Sequence, residues 1–358
     1  MLHCVHAIII LSFLRKFSAY SSPHVLACST LLLWMLRSSA SFPEISHAAT
    51  GGLTDMTYEE FKSILARHLE HLLAPGTSMQ IQTICKNNGL KLDGLTLSSA
   101  DSNVSPTVFL NYYYEKQGQF ADFNAICQDI LLTYENSRTH GHINADFFTD
   151  YEQVKQHLSY RLIHYEKNKE LLETVPYVRY LDLAIVFFCL VHISPESSAT
   201  ILIHTSHLKL WNINAAKLYG DACESAPQLL PYHFQNMTAV LSDVFGTSAA
   251  TSGQDIEGAE NPLFPMYVLT NSQKLYGAAC LLYPKLLDRI ADRLGSDLFI
   301  LPSSIHETVL IPACHRSHSK ALAAMVADIN RSELSPDEVL SDSIYYYSRT
   351  EHALTICT

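Results

Sequence analysis

The feature that most constrains the fold is the run over residues 181–193, in which every residue except Asp182 and His192 is apolar. The run is too short to cross a bilayer as a helix, which takes about 20 residues. Val, Ile and Phe dominate it, and these residue types favour strands. We therefore predict a buried central strand with packed elements on both of its faces.

The chain before this strand predicts helices and strands in alternation. Thr57 and Glu60 have the spacing of a capping box, and the helix that they begin ends before Pro75. Asn87-Asn88-Gly89 predicts a hairpin turn between strands 79–85 and 90–97. Further predictions are a short strand at 106–110, strand or strand-edge aromatics at Tyr112-Tyr113-Tyr114, and helices over 123–134 and 151–158.

The chain after the central strand follows the same pattern. We predict strands at 199–204, 298–301, 308–311 and 344–347, with helices over 215–223 and 320–329. The first of these helices should stop before Pro227, and strands 266–270 and 278–282 should pair around Asn271-Ser272. A further helix should have Pro284 at its first position and end at Gly295. Residues 246–262, small, polar and acidic, indicate a flexible surface loop.

These elements predict an α+β fold with mixed sheets, strand hairpins and packed amphipathic helices in two lobes. We place the lobes at 56–165 and 166–349 and treat 350–358 as a tail. The residues expected to be buried in one shared sheet are Leu183, Ile185, Phe187, Ile201, Val268, Leu298, Ile300, Val309 and Ile311.

The first 55 residues are a different kind of sequence. They hold two apolar runs, 7–14 and 25–36, separated by Arg15 and Lys16, and each run is too short to span a membrane. A signal peptide is one interpretation, with Ser38-Ser39-Ala40 before the cut, but an apolar run precedes the basic residues. We favour Met56 as the true start, so that 1–55 are a leader, disordered or loosely helical, that adds nothing to the core. A secretion signal and a real anchor are the alternatives.

Charge and cysteine usage limit the partners and the cellular compartment that we expect. Thirty-five acidic against 24 basic residues give a net charge of −11, which argues against nucleic acid or anionic lipid as a partner. After residue 55 the chain has seven scattered cysteines and no C-x-x-C pair, which is typical of a reducing cytoplasm. No phosphate-binding glycine motif occurs. We expect no cofactor and no bound metal, and the sequence leaves the oligomeric state open.

Several strings point to a family. The segment Leu-Pro-Ser-Ser-Ile-His-Glu at 301–307, together with 56–61, 87–97, 266–271 and 334–347, resembles an uncharacterised bacterial family, domain of unknown function 5688. The resemblance covers residues 56–349. The second half is also remotely similar to domain of unknown function 1444 in its order of elements. Neither family implies an established activity.

The turn from Pro302 to Glu307 carries the most specific chemistry. Ser303 or Ser304 could act as a nucleophile with His306 as its base. On a strand His306 and Glu307 point to opposite faces, so Asp297 would have to orient the histidine. No G-x-S-x-G elbow supports this arrangement. The alternative is a hairpin turn whose hydroxyls bond the backbone. In either case we expect one of His306 and Glu307 to contact neighbouring chain and the other to face a groove.

Four other clusters are weaker. Three of them contain residue types that can bind a metal, but zinc takes four ligands and no suitable set is complete. We therefore interpret all three as solvated groups. They are Cys314-His315 with His318; His140 and His142 with Asp146 and Asp150; and His68 with His71. Tyr345-Tyr346-Tyr347 indicates sheet aromatics.

Three classes of function remain. The leading hypothesis is a cytoplasmic, non-catalytic binding or adaptor protein, with His306 and Glu307 as candidate contacts for a protein or small molecule. The second is a hydrolase built on Ser303, Ser304, His306 and Asp297. The third is a secreted protein, which requires residues 1–40 to be a signal peptide.

Overall fold

The computed structural model describes residues 56–98, 105–137, 146–193, 198–237, 239–240, 266–302, 304–313 and 319–357. The predictions for 1–55 and 246–262 lie outside them. The fold is α+β, as predicted. Contacts divide the described chain between Asp146 and Phe147, rather than after residue 165, and the two units are described separately.

The smaller unit packs helices on a three-stranded antiparallel sheet. Its elements are α1 (Tyr58–Leu72), β1 (Ser78–Cys85), β2 (Lys91–Ser98), β3 (Thr107–Phe109), α2 (Leu110–Glu115) and α3 (Phe123–Ser137). The capping box is confirmed, because Glu60 N–H donates to Thr57 Oγ1 at 3.3 Å and Thr57 N–H donates to Glu60 at 2.8 Å. The hairpin is also confirmed, and Asn88 takes the left-handed conformation in its turn.

The three tyrosines at 112–114 lie in helix α2, so their assignment to a strand was wrong. The helix turns Tyr113 into the core of this unit, where its hydroxyl donates to Asp129 on α3 at 2.9 Å. Tyr112 remains 44% exposed.

The larger unit contains two sheets. Its first elements are α4 (Tyr151–Val154), β4 (Leu158–His164), α5 (Lys169–Leu172), β5 (Tyr177–Tyr180), β6 (Leu183–Ile193), β7 (Ser198–Leu202), α6 (Thr205–Trp211), α7 (Ala215–Leu229) and β8 (Tyr232–Asn236). Then come β9 (Tyr267–Asn271), α8 (Leu286–Leu294), β10 (Leu298–Leu301), β11 (Thr308–Pro312), α9 (Ser319–Glu333), β12 (Tyr345–Ser348) and β13 (Ala353–Ile356).

Strand β6 is the predicted central strand. It pairs antiparallel with β4, β5 and β7 in the four-stranded sheet. The second sheet has the order β13-β12-β10-β11-β9-β8 and is antiparallel throughout. Its strand β13 occupies part of the region that we had treated as a tail.

One hydrophobic core joins the two sheets. Leu183, Ile185 and Phe187 of β6 lie in the same buried cluster as Leu298 and Ile300 of β10. The predicted core residues are therefore buried, except that Ile201 is only partly so. They belong to two sheets and not to one, because β6 pairs with neighbours of its own.

A second core lies on the other face of the six-stranded sheet. It contains Val268, Val309 and Ile311, and helix α9 covers it with Val326 and Ile329. Among the residues that the structure describes, no helix is long and apolar enough to span a bilayer.

Three local predictions were wrong. Helix α7 continues through Pro227 to Leu229, and Leu230 N–H still closes a 2.9 Å bond to Ala226 O. Pro284 precedes the capping residue Lys285 of α8 instead of occupying the first helical position. Residues Gly277–Leu282 form a 3₁₀ helix and not a strand. The loop before this helix contains two left-handed residues, Lys274 and Tyr276.

Candidate functional site

The turn between β10 and β11 is closed by its own serine. Ser304 N–H donates to Glu307 O at 3.2 Å, and Ser304 Oγ accepts a 3.0 Å bond from His306 N–H. Ser304 is 2% exposed. Ser303 lies outside the described residues. The Ser304 hydroxyl oxygen is thus engaged in holding the turn, which is the common role of serine in such loops.

His306 fastens this turn to the loop after β9. Its Nδ1 lies 3.2 Å from Tyr276 N and 3.1 Å from Lys274 O. The two contacts belong to different tautomers of the imidazole. Nδ1 accepts a hydrogen bond from Tyr276 N–H when it carries no proton, and it donates one to Lys274 O when it is protonated. The imidazole also stacks on the Tyr276 ring, with centroids 5.5 Å apart and planes at 13°. The first half of our expectation is met, since His306 contacts neighbouring chain.

The loop that His306 meets is shaped by Asn271. Asn271 Oδ1 accepts from Gln273 N–H and Leu275 N–H, both at 3.1 Å, and its Nδ2 donates to Leu275 O at 2.7 Å. A side-chain amide that bonds backbone two and four residues ahead is a strong turn former. The loop therefore presents Lys274 O and Tyr276 N to the histidine as fixed groups.

The backbone carbonyl of His306 is held by Thr270 and lies close to the backbone of Gly277. Thr270 Oγ1 donates to His306 O at 2.7 Å. Gly277 lies against the same pair, since a Cβ there would come within 2.2 Å of Thr270 Oγ1 and 2.5 Å of His306 O. Only glycine fits at this point without movement of the backbone.

Burial sets the charge of His306. It lowers the pKa of the imidazole from its ordinary value to about 4, and the positive charge of Arg161 adds to the effect. The bond to Lys274 O and the charge of Asp337 oppose it. His306 is therefore neutral at pH 7.

Arg161 of β4 completes the site from the other sheet. Its guanidinium carbon lies 4.8 Å from the centroid of the Tyr276 ring. Its Nε is buried and has no hydrogen-bond partner among the described residues. The site is thus a row of Arg161, Tyr276 and His306, with a cation at one end and a neutral imidazole at the other.

Two predicted site residues do not have the roles that we expected. Asp297 precedes β10, at the end of the hairpin opposite the turn, about 13 Å from it for a four-residue strand. There it accepts bonds from the Tyr346 hydroxyl and, at 2.9 Å, from Arg349 N–H. Asp297 therefore does not orient His306. Glu307 is 2% exposed, so it does not face a groove as we had expected.

The other clusters have structural neighbours. His68 Nδ1 lies 2.9 Å from Ile64 O, and its ring stacks on Phe123. Asp150 caps α4 through Glu152 N–H at 3.0 Å. No group of three potential metal ligands comes together in the part of the chain that the structure describes. His140, His142, Cys314, His315 and His318, and the side chain of Asp146, lie outside that part.

An open groove of about 480 Å³ lies along α7 and the short turn 155–157. Its lining is mostly polar: Lys155, Gln156, Asp221, Glu224, Ser225, Gln228 and Leu229. Ser225 Oγ donates to Leu158 O, and Asp221 accepts from the Tyr151 hydroxyl at 2.5 Å and pairs with Lys217 at 3.0 Å. Helix, turn and strand are therefore tied together beneath the groove.

Sequence reasoning missed Arg161 and the groove. Residues 158–164 alternate apolar and polar at Leu158, Tyr160 and Leu162, which is a strand signal that would have placed Arg161 on the opposite face. Asp221, Glu224, Ser225 and Gln228 recur at helical spacing, which marks one polar face of α7. Neither pattern identifies what lies opposite these side chains.

Comparisons with known proteins identify a family without an assigned activity. The family model described as "Family of unknown function (DUF5688)" matches residues 58–349. No curated protein and no solved structure matches the chain.

Proposed function

We propose that this chain, which belongs to the family of unknown function DUF5688, is a non-catalytic binding or adaptor protein that receives its ligand or partner in the α7 groove. The observation that carries the proposal is the groove itself. Its volume of about 480 Å³ is within the range of ligand sites, about 300–1,000 Å³. Its frame is bonded in place before any ligand arrives, which lowers the entropic cost of binding.

The surface of the groove suits hydrogen bonding and charge pairing. Glu224 and Gln228 are exposed along α7, one turn apart, and Gln156 is exposed across from them. Lys155 adds one basic group. Such a lining favours a polar segment of a protein or a polar small molecule over an apolar one.

The geometry of His306 supports binding over hydrolysis. Its Nδ1 serves the backbone at Lys274 and Tyr276, and the Ser304 oxygen serves His306 N–H. Both groups therefore act as fasteners between a hairpin and a loop. We propose that the serine and histidine of the 302–307 turn have this structural role.

The proposal includes a cytoplasmic location and excludes nucleic acid as the partner. Cys127, Cys189 and Cys280 are buried free thiols, which suits a reducing compartment. The net charge of −11 would repel a nucleic acid backbone.

Affinity capture from native lysate tests the groove. The full chain should retain a specific set of partners or bound metabolites, identified by mass spectrometry. Glu224→Arg reverses a charge in the groove and should reduce that capture at least several-fold. Glu170→Arg is the matched control, because Glu170 is an exposed glutamate on another helix, α5.

Equal melting temperatures of the three proteins would show that the substitutions leave the fold intact. Identical capture by wild type and Glu224→Arg would contradict the proposed site. Hydrolysis of ester or amide substrates by the wild type, lost in His306→Asn, would overturn the binding proposal in favour of the hydrolase.

A further inference from the structure

Arg161 lies on a different face of the molecule from the groove. Along β4, Leu158, Tyr160 and Leu162 point into the core that α7 covers, and Arg161 alternates to the opposite face. On that face its guanidinium lies over Tyr276, whose ring also meets the edge of Phe188 with centroids 5.3 Å apart. The rings hold the cation in one place.

The charge of Arg161 is not neutralised within the described chain. Arg349 pairs with Asp292 at 3.0 Å and Arg331 with Asp328 at 3.6 Å, but Arg161 forms no ion pair with a described carboxylate. Its Nε is buried without a hydrogen-bond partner among these residues. A half-buried guanidinium normally has a polar partner, and within the described residues Arg161 has an aromatic ring in that place.

The surroundings favour an anion with one charge. A guanidinium matches planar oxyanions, which it can bind through two nitrogens. Neutral His306 adds no second positive charge, and the charge of Asp337 acts on the same histidine. The negative charge of Asp337 should therefore repel a dianion such as phosphate or sulfate more strongly than it repels a carboxylate.

We propose that Arg161 forms a second binding site, separate from the α7 groove, that takes a carboxylate group of a protein or small molecule. The carboxylate accepts hydrogen bonds from the exposed part of the guanidinium, and the Tyr276 ring keeps the guanidinium in position. This site goes beyond the proposed groove function and does not depend on it.

His306 reports on this site. Arg161 lowers the pKa of His306, so a bound carboxylate that offsets the arginine charge should raise that pKa. The coupling is reciprocal, and a carboxylate should bind more tightly when His306 is protonated.

The test is proton NMR of the histidine rings of the full chain, with the His306 signal assigned from its loss in His306→Asn. Sodium acetate replaces sodium chloride at constant ionic strength. We expect a saturable shift of the His306 signal with a Kd on the order of 10–50 mM, and a raised pKa of His306. Sodium sulfate at the same ionic strength should give a smaller response.

Arg161→Gln should abolish the response to acetate. Arg179→Gln is the matched control, because Arg179 also lies over a tyrosine ring, Tyr165 at 4.3 Å, but has the charge of Glu166 near it. This variant should respond as the wild type does. An equal response in wild type and Arg161→Gln, or no response in the wild type, would overturn the inference. Neither result alters the Glu224→Arg capture test, so the two proposals fail separately.

Discussion

The hydroxyl of Tyr345 donates a 2.8 Å hydrogen bond to Oδ1 of Asp182, and this bond joins the two sheets of the larger unit. Tyr345 belongs to β12, whereas Asp182 sits in the turn between β5 and β6. The other carboxylate oxygen of Asp182 accepts from Ser341 Oγ at 2.6 Å. Tyr345 has no exposed surface, so its hydroxyl would be buried without a partner if this acceptor were lost.

Removal of this hydroxyl should weaken the contact between the sheets. Tyr345→Phe keeps the ring but removes a donor to a carboxylate, and we expect the free energy of unfolding to fall by about 1.5–3 kcal/mol. Urea denaturation followed by circular dichroism measures the change. Tyr112→Phe is the control, because Tyr112 is 44% exposed and should change stability by less than about 0.5 kcal/mol. Equal stabilities of the two variants would show that the bond is not a significant link.

His306 should make the protein sensitive to acid. Its folded pKa of about 4 lies below the value near 6.5 of an unfolded histidine, so the unfolded state binds more protons between these values. Stability from this group is complete above about pH 6.5 and is lost as the pH falls towards 4. Between pH 7 and 4.5 the loss should be about 2–3 kcal/mol.

His306→Asn should remove this part of the pH dependence. Chemical denaturation at pH 7 and pH 4.5 gives the difference for each protein, and comparison with the wild type cancels the contribution of the carboxylates. His71→Asn, a change at an exposed helical histidine, should keep the wild-type dependence. If His306→Asn loses as much stability in acid as the wild type does, the imidazole is not held neutral by the fold.

Glycine at 277 should be indispensable, whereas glycine at 220 should not. Gly277→Ala would place a methyl group 2.2 Å from Thr270 Oγ1 and 2.8 Å from Asn271 N, and we expect a loss of at least about 1–3 kcal/mol. Gly220 lies inside α7 with open space around it, so Gly220→Ala should stabilise by up to about 1 kcal/mol. Thermal and urea unfolding of both variants measure the two changes in stability. Destabilisation of similar size in both variants would contradict the close packing around Gly277.

Ile300 should be a costly core position to shorten. It has no exposed surface and lies in the core between the sheets, so Ile300→Ala should cost about 2–5 kcal/mol. Ile201→Ala, at a partly buried edge-strand position, should cost clearly less. Midpoints of urea denaturation measure both changes. A loss under about half a kcal/mol at Ile300 would contradict its place in the core.

Much of the fold was predictable because its signals are local. The capping box at Thr57 and Glu60, the turn at Asn88 and the stop at Gly295 each depend on backbone geometry within a few residues. The strand over 183–193 was predictable because a run too short to span a bilayer and rich in Val, Ile and Phe favours a buried strand. The wrong assignment at 278–282 had a long-range cause, since the Gly277 backbone packs against Thr270 and His306.

The candidate site was only half predictable. The sequence singled out His306 because a histidine beside serines in a proline-bounded turn is unusual chemistry for a hairpin. It did not indicate that Tyr276 N and Lys274 O would occupy the ring nitrogen, or that Asp297 would lie at the far end of the strand. Those contacts join residues about 30 positions apart.

The amino-acid sequence by itself determined many of the elements, the α+β class, most of the named core residues and the family resemblance, because propensity, periodicity and capping act over a few residues. Only the tertiary structure decided which sheet each strand joins, and that it is Tyr345 that meets Asp182. It also decided that Arg161 lies over the ring of Tyr276 and forms no ion pair with a carboxylate among the described residues. Strand pairing and side-chain contacts across the core depend on the whole chain at once, since one hydrophobic pattern is compatible with several partners until packing selects among them.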